Sequence, residues 1–225
     1  MLLPRGHRLV RTLMTAIIIS LFLQNVSANL ASSRRSLSQF NTQVLATMEV
    51  QAWQAYYQRD YTQLWTALIV MLTEQFHVST MQATVLSGRA VRAAQLFAEM
   101  PRNTSKARYQ REVLPAVQAF YQHLKYVVQA DWDAQQVAQA ELDWWVARRT
   151  PRKNNPQYVG QLIARVYSLL YGKSNIAIEK AGYLRAQAAH MRDQQRRRRH
   201  IDWKSIQGIL EQSYALLLEG INEKT

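Results

Sequence analysis

The sequence predicts an all-α protein, a single-domain bundle or array of about seven to eight helices. Three observations lead to this prediction. The chain of 225 residues has only 7 Gly and 5 Pro, well below average usage, and these are the residues that interrupt helices. Apolar residues recur at steps of three and four along most of the chain, as on one face of a helix. No stretch alternates convincingly with the period of two that a half-buried strand requires.

The composition limits the chemistry and the partners. With no Cys, the chain cannot form disulfides, zinc–thiolate sites, iron–sulfur clusters or cysteine nucleophiles. The 28 basic residues outnumber the 15 acidic ones, which gives a formal net charge of +13. Such an excess favours acidic partners, either an anionic membrane surface or nucleic acid.

The N-terminal segment 1–28 has the pattern of a secretory signal peptide. Three arginines precede the short apolar run 12–23, and Val26-Ser27-Ala28 forms a small-x-small cleavage pattern. We therefore expect cleavage after Ala28 and an exported, periplasmic or envelope-associated protein. Two alternatives stay open, namely an uncleaved anchor and a cytoplasmic chain that starts at Met48.

After the leader, we expect a polar lead-in over 29–47, which is mobile or forms a loosely packed first helix. The helical domain then occupies 48–222. N-cap residues, prolines and glycines mark the expected ends of its helices. The predicted helices are 48–77, one from Ser79 or Thr80 to Pro101, one near Val113–Val127 with Pro115 at its start, one from Asp131 or Asp133 to Thr150, one from Asn155-Pro156 to Gly172, one from Ser174 toward Arg199, and one after Asp202.

The segment Glu141–Arg149 is the most distinctive part of the chain. On a helix, its Glu141, Trp145 and the Arg148-Arg149 pair share one side. The structural interpretation is a core tryptophan flanked by a Glu–Arg pair. The functional interpretation is a pocket wall with a carboxylate acceptor, an aromatic platform and arginines for an anionic ligand. The candidate ligand-binding residues are Glu141, Trp145, Arg148, Arg149 and, on an earlier helix, Arg89 and Arg92.

Motifs for catalysis and metal binding are incomplete. Glu74-x-x-His77 is half of a di-iron carboxylate motif, and the second half that such a site needs does not occur in the sequence. The sequence also contains no Gly-x-Ser-x-Gly elbow and no glycine-rich phosphate loop. We therefore predict no catalytic residue, no metal and no cofactor, and we favour a protein that is not an enzyme.

The run Arg196, Arg197, Arg198 and Arg199 forms a predicted surface basic patch just before the last helix. It fits a connection between two helices that is kept open by repulsion among its own arginines, or a contact with anionic phospholipid headgroups. Nucleic acid is disfavoured as a partner of an exported protein. It becomes the better interpretation if the chain starts at Met48 and stays in the cytosol.

Several stretches resemble an uncharacterised family of bacterial all-helical proteins. The resemblance covers the chain from about Met48 to Ile221, and a Glu-Leu-x-Trp-Trp-Val-x-Arg-Arg segment is its most specific part. It implies a helical fold, and no known activity, catalytic residue or cofactor comes with it. The stretches are Trp53-x-x-Tyr56-Tyr57, Met71-Leu72-x-Glu74-Gln75, Glu141–Arg149, Val159-Gly160-x-Leu162-Ile163-x-x-x-Tyr167-x-x-Leu170-Tyr171-Gly172, Leu184-Arg185-Ala186 and Gln212-Ser213-Tyr214.

Three functional hypotheses follow from the sequence. The first is an exported, non-enzymatic helical protein that acts through contacts with a protein partner or an anionic membrane surface. The second is a helical domain, or an enzyme, that binds a small anionic ligand in a pocket of Glu141, Trp145 and Arg148. The third is a cytosolic nucleic-acid binder that uses Arg196–Arg199. The sequence predicts neither the ligand nor the oligomeric state.

Overall fold

The computed structural model describes residues 37–197 and 200–223, and within them it contains nine helices and no strand. The predicted all-α class is confirmed, and the predicted number of helices is close to the observed one. The predicted signal peptide 1–28 and residues 29–36 of the predicted lead-in lie outside the described residues. The helices are α1 (Thr42–Gln58), α2 (Tyr61–Phe76), α3 (Thr80–Glu99), α4 (Lys106–Glu112), α5 (Leu114–Val128), α6 (Ala134–Arg149), α7 (Pro156–Tyr171), α8 (Ile176–Arg197) and α9 (Trp203–Asn222).

Side-chain caps start several helices where the sequence predicts them. Ser79 and Gln82 form a capping box at the start of α3. Asp133 accepts hydrogen bonds from two backbone N–H groups in the first turn of α6. Asn155 caps α7 in front of a proline, and Asp202 caps α9. These caps satisfy donors that the helix itself cannot pair.

The predicted single helix 48–77 is wrong, because the chain breaks between α1 and α2. Arg59 adopts the left-handed conformation with φ of 62°, and Asp60 then caps α2. Neither a glycine nor a proline marks this break. A similar break at Val113, where φ is −110°, separates the short α4 from α5.

Two predicted boundaries also differ. Helix α1 starts at Thr42 rather than at Met48, and Leu45 and Ala46 in its first turns are fully buried. Asn175, rather than Ser174, precedes α8, and its side-chain oxygen accepts the backbone N–H of Ile178 at 3.0 Å. The packed domain therefore begins well before 48, and part of the predicted lead-in belongs to its core.

Three helices that are distant in sequence run parallel: α1, α6 and α8. Glu49 of α1 and Trp144 of α6 both contact Arg185 of α8. Further toward the C-terminal ends, Tyr57 of α1 contacts Arg192 of α8, and Arg148 of α6 contacts Asp193 of α8. Each of these helices therefore presents its C-terminal end at the same end of the molecule. Within the described residues, no helix is long and apolar enough to span a membrane.

Helices α7, α8 and α9 pack with their backbones nearly touching, and we call this region the closed half. A Cβ atom added to Gly160 would lie 2.7 Å from the Cα of Tyr183, and one added to Gly182 would clash with the carbonyl oxygen of Gly160. A Cβ atom on Gly220 would lie 2.7 Å from Cγ1 of Ile178. Only glycine allows these close approaches.

Candidate functional site

A cavity of about 650 Å³ opens among α1, α2, α3, α5, α6 and α8, with further wall residues from α7 and with Tyr214 of α9, and we call this region the open half. Apolar and aromatic side chains form most of its wall, and charged side chains form two layers across it. Its volume lies within the range typical of small-molecule sites. Representative apolar and aromatic wall residues are Trp53, Leu68, Met71, Phe97, Phe120 and Trp144.

The two charged layers are set by the parallel course of α1, α6 and α8. The inner layer contains Glu49, Glu141 and Arg185, one from each helix. The outer layer contains Tyr57, Arg148, Arg149, Arg192 and Asp193 from the same three helices. Because Glu141 and Arg148 are seven residues apart, as are Arg185 and Arg192, the layers are separated by about 10 Å along the helix axes.

In the inner layer, Glu49 and Arg185 form a buried ion pair. The Glu49 side chain is 2% exposed, and Nε and Nη2 of Arg185 both lie 2.7 Å from its Oε1. The Tyr214 hydroxyl donates to the other carboxylate oxygen at 2.8 Å. The guanidinium of Arg185 also lies 5.2 Å from the centre of the Trp144 ring. Glu49 is thus fully occupied by partners within the protein.

Glu141 has partners of a different kind. Its Oε2 accepts a hydrogen bond from the Tyr121 hydroxyl at 3.1 Å, and its Oε1 accepts one from Nε1 of Trp145 at 2.9 Å. Within the described residues, no cationic side chain lies at ion-pair distance from this carboxylate. The predicted Glu–Arg pair in this segment is therefore wrong, because Arg148 pairs with Asp193 instead.

The buried tyrosines of the inner layer remain protonated near neutral pH. Burial raises the pKa of Tyr167 to about 12. Burial, followed by the charge of Glu49, raises the pKa of Tyr214, and burial, followed by the charge of Glu141, raises the pKa of Tyr121. A tyrosine that keeps its proton donates hydrogen bonds to the carboxylates and does not act as a base.

In the outer layer, two arginines share one carboxylate. Oδ2 of Asp193 lies 2.9 Å from Nη2 of Arg148, and its Oδ1 lies 2.9 Å from Nη1 of Arg192. Nη2 of Arg148 also donates to the Tyr57 hydroxyl at 3.2 Å, and Arg192 lies over the ring of Tyr57. The buried Nε atoms of both arginines have no hydrogen-bond partner. The cluster therefore carries excess positive charge and is incompletely paired.

Arg149 adds a third guanidinium to the outer layer. Its Nη1 donates to the carbonyl oxygen of Met100 at 2.8 Å and to the Tyr109 hydroxyl at 3.3 Å. Its Cζ lies 3.7 Å from the centre of the Phe97 ring. Across the part of the chain that the structure describes, no carboxylate pairs with it. At the mouth of the cavity, three exposed arginines follow: Arg59, Arg102 and Arg196.

The structure brings four of the six candidate ligand-binding residues together. Glu141, Trp145, Arg148 and Arg149 line the cavity. Arg89 and Arg92 do not line it, because both lie on the exposed face of α3. Helix α3 presents small side chains to the cavity instead, namely Ala90, Ala93, Ala94 and Ala98.

Of the predicted surface basic patch, only the side chain of Arg196 lies within the described residues. It is exposed and lines the mouth of the cavity. The side chain of Arg197 and all of Arg198 and Arg199 lie outside the described part of the structure.

Sequence reasoning missed Glu49, Arg185, Arg192 and Asp193. The sequence does contain a signal that the two arginines of α8 point into the protein, because they occupy positions in the apolar stripe of this helix. That stripe advances by steps of three and four, which places all of its members on one face. Its members are Ile178, Ala181, Arg185, Ala188 and Arg192.

The half-motif of Glu74 and His77 lies at the end of α2 and holds the chain segment before α1. Oε1 of Glu74 accepts the backbone N–H of Asn41 at 2.6 Å. Nε2 of His77 lies 2.6 Å from the carbonyl oxygen of Gln39. Among the described residues, no group of three potential ligands could hold a metal ion. Both side chains therefore serve to attach this segment to the helical domain.

Comparison with family models, with curated proteins and with solved structures gave no match to this chain. The resemblance to an uncharacterised bacterial family consequently stays a prediction.

Proposed function

We propose that this protein binds a small organic anion in the cavity of the open half, with the anionic group at the outer layer and an apolar body along the wall. The observation that carries this proposal is the outer layer itself. Three guanidiniums, from Arg148, Arg149 and Arg192, face one carboxylate, that of Asp193. A bound anion would balance this excess.

Burial makes the excess charge significant. The side chain of Arg192 is only 5% exposed and that of Arg148 is 15% exposed. Positive charge that is removed from water without a counterion is costly, so a second anion is favoured there. Guanidinium groups also present planar forks that match phosphate and carboxylate oxygens, and Phe97 and Tyr57 hold two of them by stacking.

The remaining wall favours binding over catalysis. The apolar and aromatic side chains that line most of the cavity would surround an apolar body and exclude water from it. Glu49 is occupied by Arg185 and Tyr214, so it does not offer a free general base.

Calorimetric titration of the protein with octyl phosphate tests this proposal. We expect binding to the native chain, and a loss of about tenfold or more in affinity for Arg149→Gln and for Arg192→Gln, since each removes a charged hydrogen-bond donor. Arg165→Gln is the matched control, because it removes the same charge from an exposed site on α7 outside the cavity. A thermal melt of each variant verifies folding.

Two outcomes would contradict the proposal. One is the absence of octyl phosphate binding to the folded native chain. The other is an equal loss of affinity in Arg165→Gln and in the two cavity variants, which would indicate a general effect of net charge.

A second candidate function, contact with an anionic lipid surface, is favoured by one face of α3. Met81 is 80% exposed and Val85 is 49% exposed. Arg89 and Arg92 continue the same face at the next turns, so apolar and basic side chains lie in one row. Exposed apolar residues beside arginines are typical of helices that lie on anionic bilayers.

Cosedimentation with vesicles of phosphatidylcholine alone or with phosphatidylglycerol tests this second candidate. We expect binding only to the anionic vesicles, and its loss in Arg89→Gln/Arg92→Gln and in Met81→Ser/Val85→Ser. Ile176→Ser is the control, because Ile176 is 69% exposed on another helix. Equal binding of all these variants would remove the candidate.

Export and the nucleic-acid alternative stay predictions. The residues on which they rest, 1–28 and the side chains of 197–199, lie outside the described structure. A chain that started at Met48 would lack Leu45 and Ala46, which are both fully buried.

A further inference from the structure

We propose that the ligand is a zwitterion, and that Glu141 binds a protonated amine at the end of the ligand opposite its anionic group. This inference rests on the proposed function, since it assumes that the cavity takes an organic anion at the outer layer. It assigns a second subsite, in the inner layer, and names the chemical group that the subsite selects.

The charge of the inner layer is the first argument. Two carboxylates, those of Glu49 and Glu141, face one guanidinium, that of Arg185. Both Nε and Nη2 of Arg185 lie 2.7 Å from Oε1 of Glu49, so this cation is committed to the buried pair. The charge of Arg185 also acts on Glu141, but within the described residues Glu141 has no cation at ion-pair distance. The inner layer has an excess of negative charge, whereas the outer layer has an excess of positive charge.

The hydrogen bonds of Glu141 are the second argument. Each of its oxygens accepts one hydrogen bond, from the Tyr121 hydroxyl or from the Trp145 indole. A carboxylate offers about four lone-pair sites, so both oxygens can accept another donor. The two neutral donors hold the carboxylate in one orientation, and Glu141 lines the cavity. An ammonium group supplies both the missing donors and the missing charge.

The aromatic surroundings of Glu141 are the third argument. Trp145, Tyr121, Trp53 and Phe120 line the same cavity. The negative faces of such rings attract cations, and aromatic walls beside a carboxylate are a common environment for organic ammonium groups. A second anionic group would be repelled from this layer.

The spacing of the layers defines the ligand further. Glu141 and Arg148 lie on one face of α6 and are separated by about 10 Å along its axis. The ammonium and the anionic group must therefore be separated by an extended chain of comparable length. In the reverse orientation, the anionic group would be repelled by Glu141 and the ammonium by the arginines of the outer layer. Such a ligand would therefore bind in one orientation only.

The test compares two probes in calorimetric titrations, octyl phosphate and 8-aminooctyl phosphate, whose apolar chains have the same length. We expect the native chain to bind the aminated probe about tenfold or more tightly, as expected for a charged hydrogen bond. Glu141→Gln should abolish this preference, so that the variant binds the two probes with similar affinity. Tyr121→Phe, which keeps the carboxylate, should retain the preference.

The outcomes separate this inference from the proposed function. If the native chain binds both probes equally and Arg192→Gln weakens both, the anion site stands and the amine subsite is wrong. If the preference for the amine persists in Glu141→Gln, the amine subsite is likewise wrong as assigned. If the folded native chain binds neither probe, the proposed function fails as well. Far-ultraviolet circular dichroism of each variant verifies that it is folded.

Discussion

The closed half and the open half of the molecule use the same helix, α8, in opposite ways. One face of α8 carries Gly182, which allows the backbone of α7 to approach so closely that a methyl group has no room. Arg185 and Arg192, on the same helix, line a cavity of about 650 Å³. Because Gly182 lies within one helical turn of Arg185, tight packing at Gly182 holds in place the part of α8 that carries this arginine. Binding groups held on a rigid element keep their geometry better than groups on loops.

The largest expected effect on stability comes from the inner layer of the open half. Glu49→Gln should lower the free energy of unfolding by about 3–5 kcal/mol, because it leaves the Arg185 guanidinium buried without its counterion. Urea denaturation measures this change. Glu141→Gln is the control and should cost about 1 kcal/mol, since this carboxylate has only neutral hydrogen-bond partners. Equal losses for the two variants would show that the ion pair is not the main support of the inner layer.

A smaller effect on stability is expected for a substitution in the closed half. Gly182→Ala should lower the free energy of unfolding by about 1–3 kcal/mol, because the new methyl group meets the backbone of α7. Gly208→Ala is the matched control, since nothing lies within 4 Å of a Cβ atom at Gly208 in α9. This control should raise the free energy of unfolding by about 0.5–1 kcal/mol. A stable Gly182→Ala variant would contradict the close approach of the two backbones.

An Ala→Leu substitution in each half compares the free space that the two halves contain. Ala94→Leu adds volume to the cavity and should change the free energy of unfolding by less than about 1 kcal/mol, while it weakens octyl phosphate binding. Ala164→Leu adds the same volume between α7 and α8 and should cost about 1–3 kcal/mol. Thermal melts and calorimetric titration measure the two effects, and equal stability losses would mean that the open half has no free space.

The smallest expected effect is a pH dependence of the outer layer. Burial would raise the pKa of Asp193, but the charge of Arg148 and the hydrogen bonds from Arg192 and Arg148 outweigh burial and lower it. Since the unfolded pKa is about 3.9, this carboxylate stabilises the fold above that pH, and the contribution is lost as the pH falls through the lower folded pKa.

The difference in stability between the native chain and Asp193→Asn should therefore be largest near neutral pH and shrink in acid. Chemical denaturation at a series of pH values measures this difference. A difference that does not vary with pH would contradict the ion pairs of Asp193.

Local signals allowed part of this structure to be predicted from the sequence. Caps such as Ser79 and Asp133 act within one helical turn, so their residue types alone indicate where α3 and α6 begin. At the break between α1 and α2 the only such signal is Asp60, which caps α2, because Arg59 takes a left-handed conformation that is usually left to glycine. Tertiary packing decides such a position.

The candidate site was predictable only as far as one helix extends. Glu141 and Arg148 could be placed on one side of α6 because they are two turns apart. The partner of Glu49, in contrast, lies 136 residues away, and no local pattern links the two. The sequence did not place Arg89 and Arg92, because the spacing of two arginines does not reveal which face of their helix is buried.

The indole of Trp145 donates its N–H to the carboxylate to which we assign the amine, and the ring of Trp144 lies edge-on beside it at 6.2 Å. A cation that arrives at Glu141 would alter the electric field across both chromophores. Occupancy of the cavity should consequently be visible as a shift in intrinsic fluorescence, and Trp145→Phe should diminish that shift. The protein thus carries its own optical reporter, which allows unlabelled metabolite mixtures to be screened directly.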